Sequence, residues 1–161
     1  MQLSARDRDP SNIADGSTEE GPALGDAASI AKRITVDEAA ASAARDRYLS
    51  APVPPIEADG HIAAHLAPGE QIHALRTRAI LRAPGGDQAL GYGGTLYLTS
   101  RRLVHLGQVV VTVKLTDILE ASLAGERLLL SLRDGEGVTL DVDRPRLLRA
   151  EIAAVTRELR A

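Results

Sequence analysis

Between Gln71 and Val142 the sequence breaks into seven short apolar segments, each followed within a few residues by a turn signal. Segments this short and this closely spaced leave no room for the crossovers that parallel strands need, so they read as antiparallel strands in a meander. They are Gln71–Arg82, Gly91–Thr99, Arg102–Leu106, Val109–Leu115, Ile118–Leu123, Arg127–Arg133 and Val138–Val142. Pro84-Gly85-Gly86-Asp87 signals a hairpin after the first; Ser100-Arg101, Gly107-Gln108, Ala124-Gly125 and Asp134-Gly135 signal later turns. Alternation assigns faces: Val109, Val111, Val113 and Leu115 oppose Val110, Thr112 and Lys114, and Leu128, Leu130 and Leu132 oppose Leu129, Ser131 and Arg133. In the last segment Val138, Leu140 and Val142 face in, with Thr139 and Asp141 outside. The period then changes. Leu148, Ile152, Val155 and Leu159 are spaced 4, 3 and 4, the stripe of an amphipathic helix, with Pro145 in its first turn and Asp143 to help start it. A helix with one apolar face and a sheet with open edges need each other, so the helix is expected to cover an end or edge of the β layer.

The part before Gln71 has a different texture. Residues 1–34 carry Asp, Glu, Gly, Ser and Pro with no sustained period, and are expected to form a disordered acidic leader, too poor in apolar surface to offset chain entropy. Thr35-Val36-Asp37-Glu38 has the form of a capping box, opening an Ala-rich helix to Tyr48 whose small side chains would pack weakly. Ala51-Pro52-Val53-Pro54-Pro55 ends it and reads as an extended linker. Asp59 then caps a short helix through Leu66. The expected plan is a leader over 1–34, the Ala-rich helix, linker and short helix over 35–65, and a β-rich domain over 66–161.

Composition narrows the chemistry. With 3 Tyr and no Phe or Trp, the core must be Leu, Val, Ile and Ala, and the rings that stack on bases, sugars or methylated amines are nearly absent. The absence of Cys excludes disulfides, thiolate metal sites and a thiol nucleophile, and suits a reducing cytoplasm. The opening MQLSARDRDPSN lacks the apolar core of a secretory signal, and no run nears the ~18 apolar residues of a membrane span. Residues 1–70 hold 6 basic and 12 acidic residues, and 71–161 hold 13 and 10, giving −6 and +3.

Three local patterns resemble the bacterial pleckstrin-homology-like and GRAM-like domains. Leu66-Ala67-Pro68-Gly69-Glu70 is similar to their "L-x-P-G-E" opening. Gly94-Thr95-Leu96-Tyr97-Leu98-Thr99-Ser100-Arg101-Arg102-Leu103-Val104 is similar to their "G-x-L-x-L-T-x-x-R-L" hairpin. Lys114-Leu115-Thr116-Asp117-Ile118 is similar to the link between their fourth and fifth strands. The resemblance spans about residues 66–160 and implies a mainly β (α+β) fold: a seven-stranded antiparallel barrel or sandwich capped by a C-terminal helix. It also implies a scaffold without enzymatic activity. The same residues have local physical readings: Thr99 and Ser100 bond turn amides, Arg102 lies over the sheet edge, and Asp117 caps a single helical turn.

Candidate sites are few. His61 and His65, four apart, lack the Glu and third ligand of a metal-binding helix. His73 and His105 sit in strands as structural residues. Gly91-Tyr92-Gly93-Gly94 precedes a strand, where a phosphate loop would open a helix, so the glycines read as a bulge or tight bend. No Ser-His-Asp grouping has a nucleophile's context, and no catalytic residue, metal or cofactor is expected. Arg76, Arg78 and Arg82 share one parity on the first strand; with Arg101 and Arg102 of the second-to-third turn they are the candidate ligand-binding residues. Lipid-binding relatives gather cations on the first-to-second and third-to-fourth loops, and here those loops carry almost none. The expected partner is therefore a protein or peptide, a second copy included, held by an open sheet edge or the groove beside the last helix. Peripheral binding at the inner face of a membrane, and a structural place in a larger assembly, are the alternatives. Nucleic acid is excluded by the modest charge and missing aromatics.

Overall fold

The computed structural model describes residues 20–83 and 89–161. The seven strands are β1 (Ile72–Arg82), β2 (Ala89–Thr99), β3 (Arg102–Leu106), β4 (Val110–Lys114), β5 (Ile118–Ala124), β6 (Arg127–Leu132) and β7 (Gly137–Asp141), with helices α1 (Glu20–Tyr48), α2 (Gly60–Ala63) and α3 (Pro145–Arg160). The strands form one antiparallel sheet in the order β4-β3-β2-β1-β7-β6-β5. The expected single meander is thus corrected to two, β1–β4 and β5–β7, joined where β7 pairs with β1. β4 and β5 are consecutive in sequence yet form the two edges, linked by a 3-10 turn over Leu115–Asp117. That turn has no side-chain cap; Asp117 instead accepts the Arg133 amide through its backbone oxygen at 2.9 Å.

β1 can serve both meanders because it is irregular. Arg76 pairs with Leu96 and Ala79 with Gly94, so β1 carries an extra residue there, and Arg78 takes φ 54°. Just beyond, the extra residue lies on β2, where Gly93 takes φ 63°. Such bulges bend and twist a strand, and past the bend Ile80–Arg82 pair with Asp141–Thr139 of β7. The glycine run is a bulge, as expected. Gly94 has a second role: a Cβ there would lie 2.5 Å from Cε1 of the buried His105, whose Nε2 sits 2.9 Å from the Ala79 carbonyl oxygen.

The main core joins sheet residues such as Leu81, Leu96, Leu98, Leu128, Leu130 and Leu140 to Leu148, Ile152 and Val155 of α3. Full burial of each such side chain contributes ~1.5–3 kcal/mol, which explains how a core without Phe or Trp suffices. Leu159 departs from the expected stripe: the last turn of α3 is exposed all round. Thr139, expected outside, is buried because β7 is an interior strand flanked by β1 and β6. A second cluster of Ile62, Ile72, Tyr97 and Val104 fixes α2. Asp59 Oδ1 accepts the His61 and Ile62 amides at 2.9 and 3.1 Å, and Oδ2 accepts the Tyr97 hydroxyl at 2.7 Å. Burial, then the Asp59 carboxylate, push the Tyr97 hydroxyl up to about 12. The capped helix ends at Ala63, short of Leu66.

The N-terminal region differs most from expectation. α1 begins at Glu20, so Thr35 lies inside the helix and opens nothing; the leader residues 1–19 and the hairpin signal at 84–87 lie outside the described residues. Residues 33–161 form one compact unit. Within it, Ile34, Asp37, Ala41, Ala44 and Tyr48 recur at 3, 4, 3 and 4 along one buried or half-buried face of α1. Ala41 and Ala44 are buried against Ala150 of α3, where small side chains let two helices approach closely. Asp37 replaces Asp143 as the start of α3. Pro145 has no N–H, and the next two amides, of Arg146 and Leu147, donate to Asp37 Oδ2 and Oδ1 at 2.8 and 3.0 Å. Asp143 is exposed beside Arg144. The proline-rich segment is docked: Val53 is buried in the main core and donates to Glu158 at 2.8 Å, and Ile56 forms a bridge with Ile72.

The opening motif and the hairpin motif meet in a polar cluster. Gly69, at φ 78°, turns the chain so that the Glu70 side chain folds back on the Ala67 amide at 2.9 Å. Glu70 Oε1 also accepts Thr99 Oγ1 at 2.6 Å and Arg102 Nε at 2.8 Å. Thr99 Oγ1 in turn accepts the Arg101 and Arg102 amides, and Ser100 Oγ the Gln71 amide. Burial opposes ionisation of Glu70, but Arg102, Thr99 and the Ala67 amide outweigh it and hold the carboxyl at about 2.

Two stability predictions follow from these carboxylates. Asp37→Ala should lower the unfolding free energy by about 1–2 kcal/mol, read from the urea midpoint, whereas Asp143→Ala should stay within about 0.5 kcal/mol. Equal effects would contradict the capping assignment. The folded-state pKa of Glu70, about 2, lies below its ordinary 4.5, so its contribution is complete above about 4.5 and is lost as pH falls towards 2. The stability at stake is on the order of 1–2 kcal/mol after solvent screening. Glu70→Gln should flatten the acid limb of the stability curve over that window; parallel curves would show that Glu70 is not coupled to Arg102.

Candidate functional site

The five arginines singled out in the sequence do not form one surface. The β1 bulge flips parity, so Arg76 faces inward with Ala74, while Arg78 and Arg82 face outward. Arg76 is 5% exposed and bonds Glu151 of α3 at 3.2 Å and the Asp143 carbonyl oxygen at 2.9 Å. Burial pushes the Glu151 carboxyl above its ordinary range, and Arg76 offsets only part of that. Breaking such a buried pair from one side costs about 3–5 kcal/mol, so Arg76 is held by the fold. Arg82 pairs with Asp141 at 2.8 Å. At the β2–β3 turn, Arg101 donates to the Pro68 carbonyl oxygen, and Arg102 is engaged by Glu70, with a further bond to the His65 carbonyl oxygen. Arg78 is exposed on the bulge.

A concavity lies elsewhere among the described residues. A groove of about 660 Å³ runs between the free edge of β5 and α3. Ile118, Ala121, Ile152 and Ala153 supply its apolar lining, and the exposed Leu119 stands beside them. Arg149, Arg157 and Arg160 line it from α3, and Glu120 is the one lining side-chain carboxylate. Thr156, also lining the groove, keeps a buried hydroxyl without a hydrogen-bond partner. Among the described residues β5 pairs only with β6, so along the groove its outer edge is open to an added strand.

The groove was legible only in part. The apolar stripe of α3 and the cationic row Arg149, Arg157, Arg160 at helical spacing 8 and 3 are visible in the sequence, but the edge position of β5, and so its pairing with that row, depends on the split of the sheet. Among the described residues no helix is long and apolar enough to cross a membrane, and no three His, Asp or Glu side chains are grouped to hold a metal ion.

No protein-family model matches the sequence, and no curated protein matches it. Among solved structures, the Vps36 N-terminal PH domain is similar at TM-score 0.50 and 21% identity, over 60% of this chain and 86% of that one. The PH domain of USP37 follows at TM-score 0.39 and 17% identity, over 52% and 96%. The C-terminal domain of an unknown protein from Leishmania infantum follows at 0.40 and 12%, over 58% and 88%. At these identities the likeness concerns architecture alone, and with the strand order, the split sheet and the capping helix it gives this chain a PH-like fold.

Proposed function

We propose that the chain is a non-enzymatic binding module that holds a protein or peptide segment in the groove between β5 and α3. It would act as a scaffold of the GRAM-like kind in the bacterial cytoplasm. The observation that carries this reading is an unpaired sheet edge facing an apolar, cation-lined groove of a size suited to a ligand. An added strand would satisfy β5's outer backbone groups and cover the exposed Leu119. The PH-like fold commonly serves protein or lipid binding. Of the sheet's arginines, Arg82 and Arg102 are each committed to a carboxylate of the chain itself, and the cations that do converge, Arg149, Arg157 and Arg160, flank the edge of β5, which favours a strand over a headgroup.

Selection from a random-peptide library on the full chain tests the reading. Ala153 is exposed on α3 and lines the groove, so Ala153→Trp fills the groove without disturbing the core. Selected peptides should bind the wild type at least about tenfold more tightly than Ala153→Trp, at an unchanged melting temperature. Flotation with phosphatidylcholine–phosphatidylserine vesicles should leave the chain unbound. Peptides indifferent to Ala153→Trp, or flotation of wild type and variant alike, would overturn the proposal.

A further inference from the structure

We infer that the segment held in this groove is acidic: an extended strand that pairs along β5 and sets carboxylates against Arg149, Arg157 and Arg160 of α3. The inference rests on the groove being the binding site and adds the chemistry of its occupant.

The sign of the groove is a local property. The whole chain carries −3, yet three guanidinium groups line the groove against the single side-chain carboxylate of Glu120. The other nearby acids are engaged elsewhere. Glu158 accepts the Val53 amide, Glu151 is buried with Arg76, and Glu38 bonds Arg45. Among the described residues, the Arg149 side chain lies in the field of Glu38 without a hydrogen bond to it, that of Arg157 donates only to the Tyr48 carbonyl oxygen at 3.4 Å, and that of Arg160 makes no hydrogen bond. All three are exposed. Their charge is available to a ligand.

Their arrangement suits a strand. Arg149, Ala153, Arg157 and Arg160 recur at 4, 4 and 3, forming one stripe of α3 beside the core stripe. On a helix, four residues rise about 6 Å; on a strand, alternate side chains are about 6.8 Å apart. A strand lying along α3 therefore brings every second side chain opposite this stripe, and the side chains between them point to the other face of the sheet. A guanidinium is the planar donor that carboxylates match in two-point contact. Glu120 repels carboxylates from the β5 side, so the acidic side chains belong on the α3 side.

The test uses peptides selected on the full chain. They should be enriched in Asp and Glu, and replacing those residues with Asn and Gln should weaken binding about tenfold. Raising NaCl from about 0.05 M to about 0.5 M should weaken it several-fold, and Arg149→Gln with Arg160→Gln should reproduce the loss at unchanged melting temperature. Peptides blocked by Ala153→Trp but without acidic enrichment, or whose amide forms bind equally well, would overturn the inference and leave the groove reading standing. Peptides indifferent to Ala153→Trp, or no selected peptide at all, would overturn both.

Discussion

One strand holds the molecule together. Among the described residues the two meanders join where β1 pairs with β7, and they can do so because the bulge between Arg76 and Ala79 turns β1 from β2 towards β7. That turn has three consequences. It lets the sheet fold over a single core that α3 closes. It flips the strand's inward parity, burying Arg76 on Glu151. It leaves β4 and β5 as edges, which puts a free edge beside α3 and thereby makes the groove. Straightening β1 would separate all three.

Around that frame the chain uses carboxylates from one segment to satisfy donors of another. Asp37 of α1 caps α3, Asp59 takes both the α2 amides and the Tyr97 hydroxyl, Glu70 ties the Pro68-Gly69 turn to the β2–β3 hairpin, and Glu158 fixes the Val53 amide. A buried donor without a partner costs ~1–3 kcal/mol, so each long-range acceptor fixes a connection that the short helices and turns could not hold alone. With no Phe or Trp to fill space, these contacts and close alanine packing between α1 and α3 stand where bulk would otherwise serve.

The strands were legible because alternation and turn chemistry are local: five residues at Arg102–Leu106 are bounded identically in sequence and structure, and the other strands differ only at their ends. The features read wrongly are those in which distant partners decide. Asp143 has the position of a cap, but the carboxylate that reaches the α3 amides comes from Asp37, 109 residues away. Arg76 has the parity of a surface residue until one extra residue on β1 reverses it. The Ala-rich helix lacks large side chains, yet its spacing at 34, 37, 41, 44 and 48 was a readable docking face once small residues are allowed to pack closely. The five candidate arginines were chosen by residue type; the cations lining the groove are instead set by which strand becomes an edge.

The central claim is that the free edge of β5 beside α3 is where a partner strand adds. Amide hydrogen exchange on the full chain, with and without a groove-selected peptide, tests it most directly. A strand pairing with β5 should slow exchange of amides within Ile118–Ala124 and leave those of β4, the other edge, unchanged. Protection appearing on β4, or nowhere on β5, would contradict the account.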